Sequence, residues 1–402
     1  MVVALTSCKS GDKGSSHADA VVQSTPACDN KAADSNKHCK AASTETSSGS
    51  SAAAAVPCTT ANSTWTSVLD YQLSTNKQAI GHDILALGNV LFAVGRSHDV
   101  NNKGHWMVLT SSDAGTTWTV SDQYQRTLNA VSEARSITTD GTSLYVAGYA
   151  ESSTNSPARE HWIVRKYTNG VWSTSDDFNL SATVADMAYT ATYYNGNIYV
   201  GGFGTDVTGF QHAILRKLVN GVWSTVDDYE YVAGKAIGAI QTLAFSGNVL
   251  YAGGWAWDAA NTDHCIIRKY ENGAWTLVLD YQHTAGRTCY VNQLYTDANG
   301  YLYASLAAMD NAASHWVVKK SVNAGNSFST LDDVAGYAYG VFENYFLGYN
   351  AAGNWIVKKG TTDVDTPASP ISLARRMMKD STGNYYSIGG NASIVVRKLS
   401  CQ

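Results

Sequence analysis

Residues 1–64 contain no phenylalanine, tryptophan or tyrosine; the first aromatic side chain in the 402-residue chain is Trp65. A stretch of Ser, Ala, Thr, Lys and Asp, with "SSGSSAAAA" near its end, cannot bury enough apolar surface to offset the entropy of ordering it. It is therefore expected to be disordered, and the folded domain to begin near residue 62. Charge is scarce as well. Only 15% of residues are charged and the formal net charge is −5, which excludes the basic footprint of a nucleic-acid-binding protein. No apolar run approaches the roughly 20 residues of a membrane-spanning helix. Gly-rich phosphate loops, clustered metal ligands and a nucleophile elbow are missing too, so neither a cofactor nor a metal is expected. What the chain does have is 24 Tyr, 11 Trp and 34 Gly, a composition that suits an all-β protein rich in tight turns.

A dozen residues recur: "HWIVRKYTNGVW" at 161–172, "HAILRKLVNGVW" at 212–223 and "HCIIRKYENGAW" at 264–275. Within the first, His161, Ile163, Arg165 and Tyr167 share one face of a strand, and Trp162, Val164 and Lys166 the other. Apolar residues on both faces mean a strand between two layers. Asn-Gly then supplies a two-residue hairpin turn. Upstream, "ARSITTDGTSLYVAGYA" reads as a second hairpin around Asp140-Gly141. Four strands in about 50 residues make one antiparallel sheet, and a repeat of that length points to a propeller. Third strands begin at "HWMV" (105), "HWIV" (161), "HAIL" (212), "HCII" (264) and "HWVV" (315), and "NWIVKK" (354) and "SIVVRK" (393) continue the series. The expected fold is an all-β, seven-bladed β-propeller over 62–402. The last blade lacks an outer strand, whereas "STWTSVLDYQ" at 63–72 is an outer strand with no blade before it. Residues 63–72 are therefore expected to pair with 391–400 and remove the open edge.

Two short motifs carry family resemblances. Leu5-Thr6-Ser7-Cys8 resembles a bacterial lipobox. That resemblance implies a signal remnant over 1–8, lipid (palmitate) on Cys8, a flexible tether over 9–61 and, with Lys9 following, an outer-membrane lipoprotein facing the periplasm or the cell surface. "SSDAGTTW" at 111–118 resembles the Asp-box of sialidase-like propellers, and "NAGNSF" at 323–328 is a decayed version. The resemblance makes Asp113, Gly115 and Trp118 folding elements. With Cys8 lipidated, six cysteines remain for disulfides: Cys28, Cys39, Cys58, Cys265, Cys289 and Cys401. Cys58 and Cys401 flank the expected closure and are expected to pair; Cys265, in an apolar strand, also reads as a buried thiol.

The recurrent histidines lie too far apart around a propeller for a metal, and each is read as bonding backbone at its strand start. The Arg-Lys pairs recur with Asp176, Asp177, Asp227, Asp228 and Asp280, which suggests an arginine–aspartate clasp within or between blades. Glu133, Arg135, Asp186, Tyr189, Tyr337 and Arg375 fall near inner strands and could approach the channel mouth. The loops between second and third strands vary most, and variable loops on a rigid scaffold are where binding resides. Trp255 and Trp257, with Phe203, Phe210 and Tyr149, form a candidate aromatic platform beside Asp206 and Asp258. The functional expectation is a monomeric envelope module that binds a protein or glycan and performs no catalysis. The alternatives are a sialidase-like glycan hydrolase or lyase, and a purely structural envelope protein.

Overall fold

The computed structural model describes residues 63–154, 159–181, 184–234, 237–367 and 373–401. Cys8, Cys28, Cys39, Cys58 and the Cys401 side chain, and with them the tether, the lipid anchor and the Cys58–Cys401 bridge, lie outside the described residues. All the strands among the described residues belong to one compact unit within 56–402. Every regular element among the described residues is a β-strand, and every pairing between these strands is antiparallel. The Asn-Gly turns behave as the hairpin rule requires: Asn169 and Gly170 have φ of 53° and 85°, and Asn220 and Gly221 of 51° and 83°.

Five sheets have four strands in consecutive order, except that Ser63–Tyr71 is the outer strand of the C-terminal sheet. There it runs against Ile394–Cys401, with Trp65 opposite Leu399 and Tyr71 opposite Ile394. A sixth sheet has seven strands, because Ser329–Phe342 is both the last strand of one four-stranded set and the first of the next. The leading strands pack on one another in series: Ala79–Leu87, Ser132–Thr139, Met187–Tyr194, Gly238–Ser246, Cys289–Thr296, Ser329–Phe342 and Ala374–Lys379. The last of these also packs on the first.

Apolar cores fill the seams between neighbouring sheets. In one, Val94 and Trp106 meet Ala134, Ile137 and Ile163 of the following sheet. The indoles of Trp106 and Trp162 press where a side chain at Gly148 and Gly202 of the next sheet would begin, at 2.7 Å in both cases, so only glycine fits there. Arginine–aspartate clasps cross the same seams. Arg165 donates to both oxygens of Asp122 (2.6 and 3.0 Å) and Arg216 to both of Asp176 (2.7 and 3.0 Å). Their guanidiniums lie over the rings of Tyr124 and Phe178. Such forked, stacked pairs suit arginine rather than lysine. The clasps thus lie between sheets.

The repeated histidines depart from expectation. Their partners are carboxylates, not backbone: Nδ1 of His161, His212, His264 and His315 faces Asp177, Asp228, Asp280 and Asp333 at 2.5–2.8 Å. The fourth strand returns alongside the third and brings an aspartate level with the imidazole. The turn at 111–118 is closed by its own side chains. Asp113 accepts from Ser111 Oγ (2.8 Å) and Thr117 N (2.8 Å), Gly115 has φ of 91°, and Trp118 packs into the seam core.

Candidate functional site

In all seven leading strands the ladder to the second strand slips by one residue. The residues skipped are His82, Arg135, Tyr189, Gln241, Asn292, Tyr339 and Arg375. A bulge leaves its extra residue unpaired and re-aims the side chain. All seven re-aimed side chains line one cavity of about 190 Å³, joined only by Tyr337 and Arg376. The bulge also pushes a carbonyl toward the second strand. A Cβ at Gly95, Gly148 or Gly202 would lie 2.0 Å from the oxygen of Ile80, Glu133 or Met187, so glycine is required opposite these three bulges.

Charge is concentrated on one side of the cavity. Glu133, 2% exposed, has Oε1 at 2.6 Å from His82 Nε2 and 3.1 Å from Arg135 Nη2, and Oε2 at 2.6 Å from Arg96 Nη1. Tyr149 donates its hydroxyl to Oε2 at 3.0 Å. Burial opposes the charge on Glu133, but Arg135, His82 and Arg96 together hold its carboxyl well below the usual range. Burial pushes His82 down to about 3, against the pull of Glu133, so the ring is neutral at pH 7. Asp83 lies behind the rim and accepts from Ser136 Oγ and Ile137 N.

The three lining arginines are held differently. Arg135 is paired with Glu133 and lies 4.8 Å over the Tyr189 ring. Arg376 donates to the backbone carbonyls of Tyr339, Arg375 and Asn292. Arg375 lies 4.4 Å over the Tyr339 ring, and its guanidinium has no hydrogen bond or ion pair among the described residues; its Nε is buried without a partner. Burial, with Arg135 nearby, lowers its affinity for its proton, the sign of a cation short of compensation. Tyr337, Tyr339 and Tyr349 form an aromatic wall, with Tyr337 and Tyr349 stacked at 5.4 Å.

Of the inner-strand residues singled out from the sequence, Glu133, Arg135, Tyr189, Tyr337 and Arg375 meet at this cavity. Asp186 does not. It is fully buried, accepts from Asn179 Nδ2 (2.7 Å) and Thr205 N (2.8 Å), and is pushed up to about 6 by burial. His82, Gln241, Asn292, Tyr339 and Arg376 were not anticipated. A glycine opposite six of the seven bulges, as in "AVG", "VAG" and "YVGG", is the signal that marks the strands carrying them; Leu306 stands there opposite the Asn292 bulge.

The loop-face residues are spread more widely. Trp255 is half-buried and edge-on to Tyr290 at 5.9 Å, while Trp257 donates Nε1–H to Asp263 at 2.6 Å. Phe203 is buried against Tyr189, a cavity residue, and Tyr149 reaches the cavity through Glu133. Asp206 and Asp258 close their own turns, accepting from Thr208 N and Phe210 N and from Ala260 N and Thr262 N at 2.8–3.0 Å.

No family model matches the chain, and no curated protein matches it. Among solved structures, the WD40 β-propeller domain of Doa1 is similar over 84% of this chain and 97% of that one, with a TM-score of 0.50 at 13% identity. An α-L-arabinofuranosidase from Fusarium graminearum (83% and 97% covered, TM-score 0.44, 10% identity) also aligns. So does an oxidoreductase (glucose dehydrogenase) from Thermus thermophilus, with 84% and 100% covered, a TM-score of 0.45 and 10% identity. At these identities the first likeness shows the fold alone, and the other two carry no argument. The fold is a β-propeller.

Proposed function

We propose that this chain is a seven-bladed β-propeller, closed by its terminal strands, that acts as a ligand-binding module tethered by lipid to the cell envelope. Its ligand is a small carboxylate-bearing, hydroxyl-rich molecule of the sugar-acid class, bound in the cavity at the bulges. The serial packing of seven leading strands and the pairing of 63–71 with 394–401 support the blade count and the closure. The envelope address rests on the lipobox resemblance of Leu5–Cys8.

One observation carries the ligand class: Arg375 points an unpaired guanidinium into a partly desolvated cavity. Burying a cation without a counter-charge is costly, and an anionic ligand removes that cost. Tyr337, Tyr339, Gln241 and Asn292 add groups that hydrogen-bond hydroxyls, and the tyrosine faces suit a sugar ring. A hydrolytic reading has less support, because all the strong interactions of Glu133 are taken by its protein partners.

Calorimetric titration of the full chain with glucuronate, galacturonate and glucose tests this. The acids are expected to bind and glucose not to, and Arg375→Leu is expected to abolish binding with the melting temperature unchanged. Equal binding of acid and neutral sugar, or unaltered binding by Arg375→Leu, would overturn the assignment.

A further inference from the structure

The seam between the sheet ending in Ala274–Tyr281 and the sheet beginning with Cys289–Thr296 is fastened differently from its neighbours. Leu279 occupies the place held by Asp122, Asp176 and Asp227 in earlier sheets. Lys319, in the arginine position, is left to Thr330 and the Tyr281 ring, 4.0 Å away. Cys265 replaces the seam tryptophan and is bonded to Cys289 across the seam. A third peculiarity lies nearer the surface. In the connection after the fourth strand, one side chain reaches over to the aspartate of the next sheet. Arg126 does so to Asp177 (2.9 Å) and Tyr231 to Asp280 (2.6 Å), and both are donors. Here the reaching residue is His283, and it alone of the three brings a metal-binding lone pair.

His283 lies with its ring stacked on His315, centroids 3.8 Å apart. Its Nε2 is 3.2 Å from Asp333 Oδ2, while His315 Nδ1 is 2.8 Å from Asp333 Oδ1. One ligand atom from each of the three lies within 4.8 Å of the others. We propose that His283, His315 and Asp333 form a binding site for a divalent transition metal of the zinc type, which ties the two sheets together.

The chemistry fits in three respects. Two imidazoles and a carboxylate are the donors such ions prefer, and three protein ligands with an exposed aspartate leave a fourth position for water. His315 has its outer-shell partner in place, since Nε2 lies 3.0 Å from Asp310 Oδ2; a carboxylate there fixes a ligating ring with Nδ1 toward the metal. The approach of the donors to a common centre at about 2.0–2.1 Å requires Asp333 to exchange its two hydrogen bonds for metal-bridged contacts and the two stacked rings to turn so that their lone pairs converge. Of the repeated histidines only His315 takes part in this site; its partner His283 lies outside the repeat. His264 is an internal control. It is bracketed by Asp280 and Asp258 as His315 is by Asp333 and Asp310, but its neighbour is Tyr231.

Titration of chelator-treated full-length protein with zinc chloride, read by calorimetry and by thermal shift, tests the proposal. Cobalt chloride supplies a visible spectrum for coordination geometry. The wild type is expected to bind one more zinc per chain than His283→Tyr, a change that installs the residue already used at position 231. Zinc is expected to raise the melting temperature by a term that His283→Tyr lacks and His264→Gln keeps. Asp310→Asn is expected to weaken the site by about tenfold or more. Equal zinc stoichiometry in wild type and His283→Tyr would overturn the proposal, since His17, His38, Cys28 and Cys39 are present in both. Loss of the difference in His264→Gln would overturn it equally.

Discussion

At the seams between sheets, one residue type recurs at one position: Arg165, Arg216, Arg268 and Arg397 each clasp an aspartate of the preceding sheet. Around the cavity, the corresponding bulges carry His82, Arg135, Tyr189, Gln241, Asn292, Tyr339 and Arg375, five residue types among seven positions, with only Arg and Tyr used twice. Both sets hang on the same repeated backbone. A seam presents much the same mechanical task each time, and the arginine–aspartate clasp recurs at four of them, with Lys358–Asp332 as a variant at another. Under the proposed function the cavity receives a single ligand without sevenfold symmetry, for which varied side chains are suited. Repetition therefore marks fastening in this molecule, and divergence at a repeated backbone irregularity is what the proposed recognition role calls for.

Separating the two by mutation gives effects of graded size. Asp176→Ala leaves Arg216 buried without its partner and is expected to cost about 3–5 kcal/mol in urea unfolding while ligand affinity is unchanged. A matching loss of affinity would show that seams and cavity are one unit. Replacing Cys265 and Cys289 together by Ala, or adding reductant, is expected to cost about 3 kcal/mol, because the bridge spans 24 residues of chain. A loss near zero would mean that the other contacts of this seam suffice.

His82 belongs to the cavity but is legible through stability. The unfolded chain takes up a proton on this residue as pH falls through about 6.5, whereas the folded chain holds it neutral down to about 3. Between those values the unfolded state binds more protons, so stability falls with falling pH by about 1.4 kcal/mol per unit. The depressed carboxyl of Glu133 acts in the same direction at the acid end. Unfolding free energies at pH 7, 6 and 5 are expected to slope less steeply in His82→Asn. Parallel slopes would show that His82 is charged in the folded protein. The smallest expected stability effect is that of Arg375→Leu, near zero, with its whole consequence in binding; a large loss would make Arg375 a seam residue in disguise.

The strands and their turns were legible because alternation and Asn-Gly pairs are local properties of the chain. The clasps were half legible. Arg165 and Asp176 recur visibly, but Arg165 pairs with Asp122 of the preceding sheet, and no spacing within one repeat reveals that. The histidine partners were missed for a related reason: Asp177 is 16 residues from His161 and meets it only after the hairpin folds. Cavity residues such as Gln241 and Asn292 were hidden because alternation predicts a facing only while the ladder stays in step, and the bulge breaks step at that residue. Asp206 and Asp258 illustrate the opposite ambiguity. A loop aspartate that suggests ligand contact in the sequence also closes a turn, through backbone amides two and four residues on.

Ser329–Phe342 bears on where this chain can be recut. Elsewhere one sheet gives way to the next through a connection, and hairpins such as that at Gly170 have open space around them. Here a single strand passes from one sheet into the next at Gly336, whose φ of 143° and closeness to the Tyr349 carbonyl permit no side chain. New termini opened at Gly170 disturb one turn; opened at Gly336, they would release the edges of two sheets at once. A circular permutant map of the molecule would therefore be tolerant at its hairpins and blank across this segment, and the two sheets it joins would exchange their amide protons as one cooperative unit.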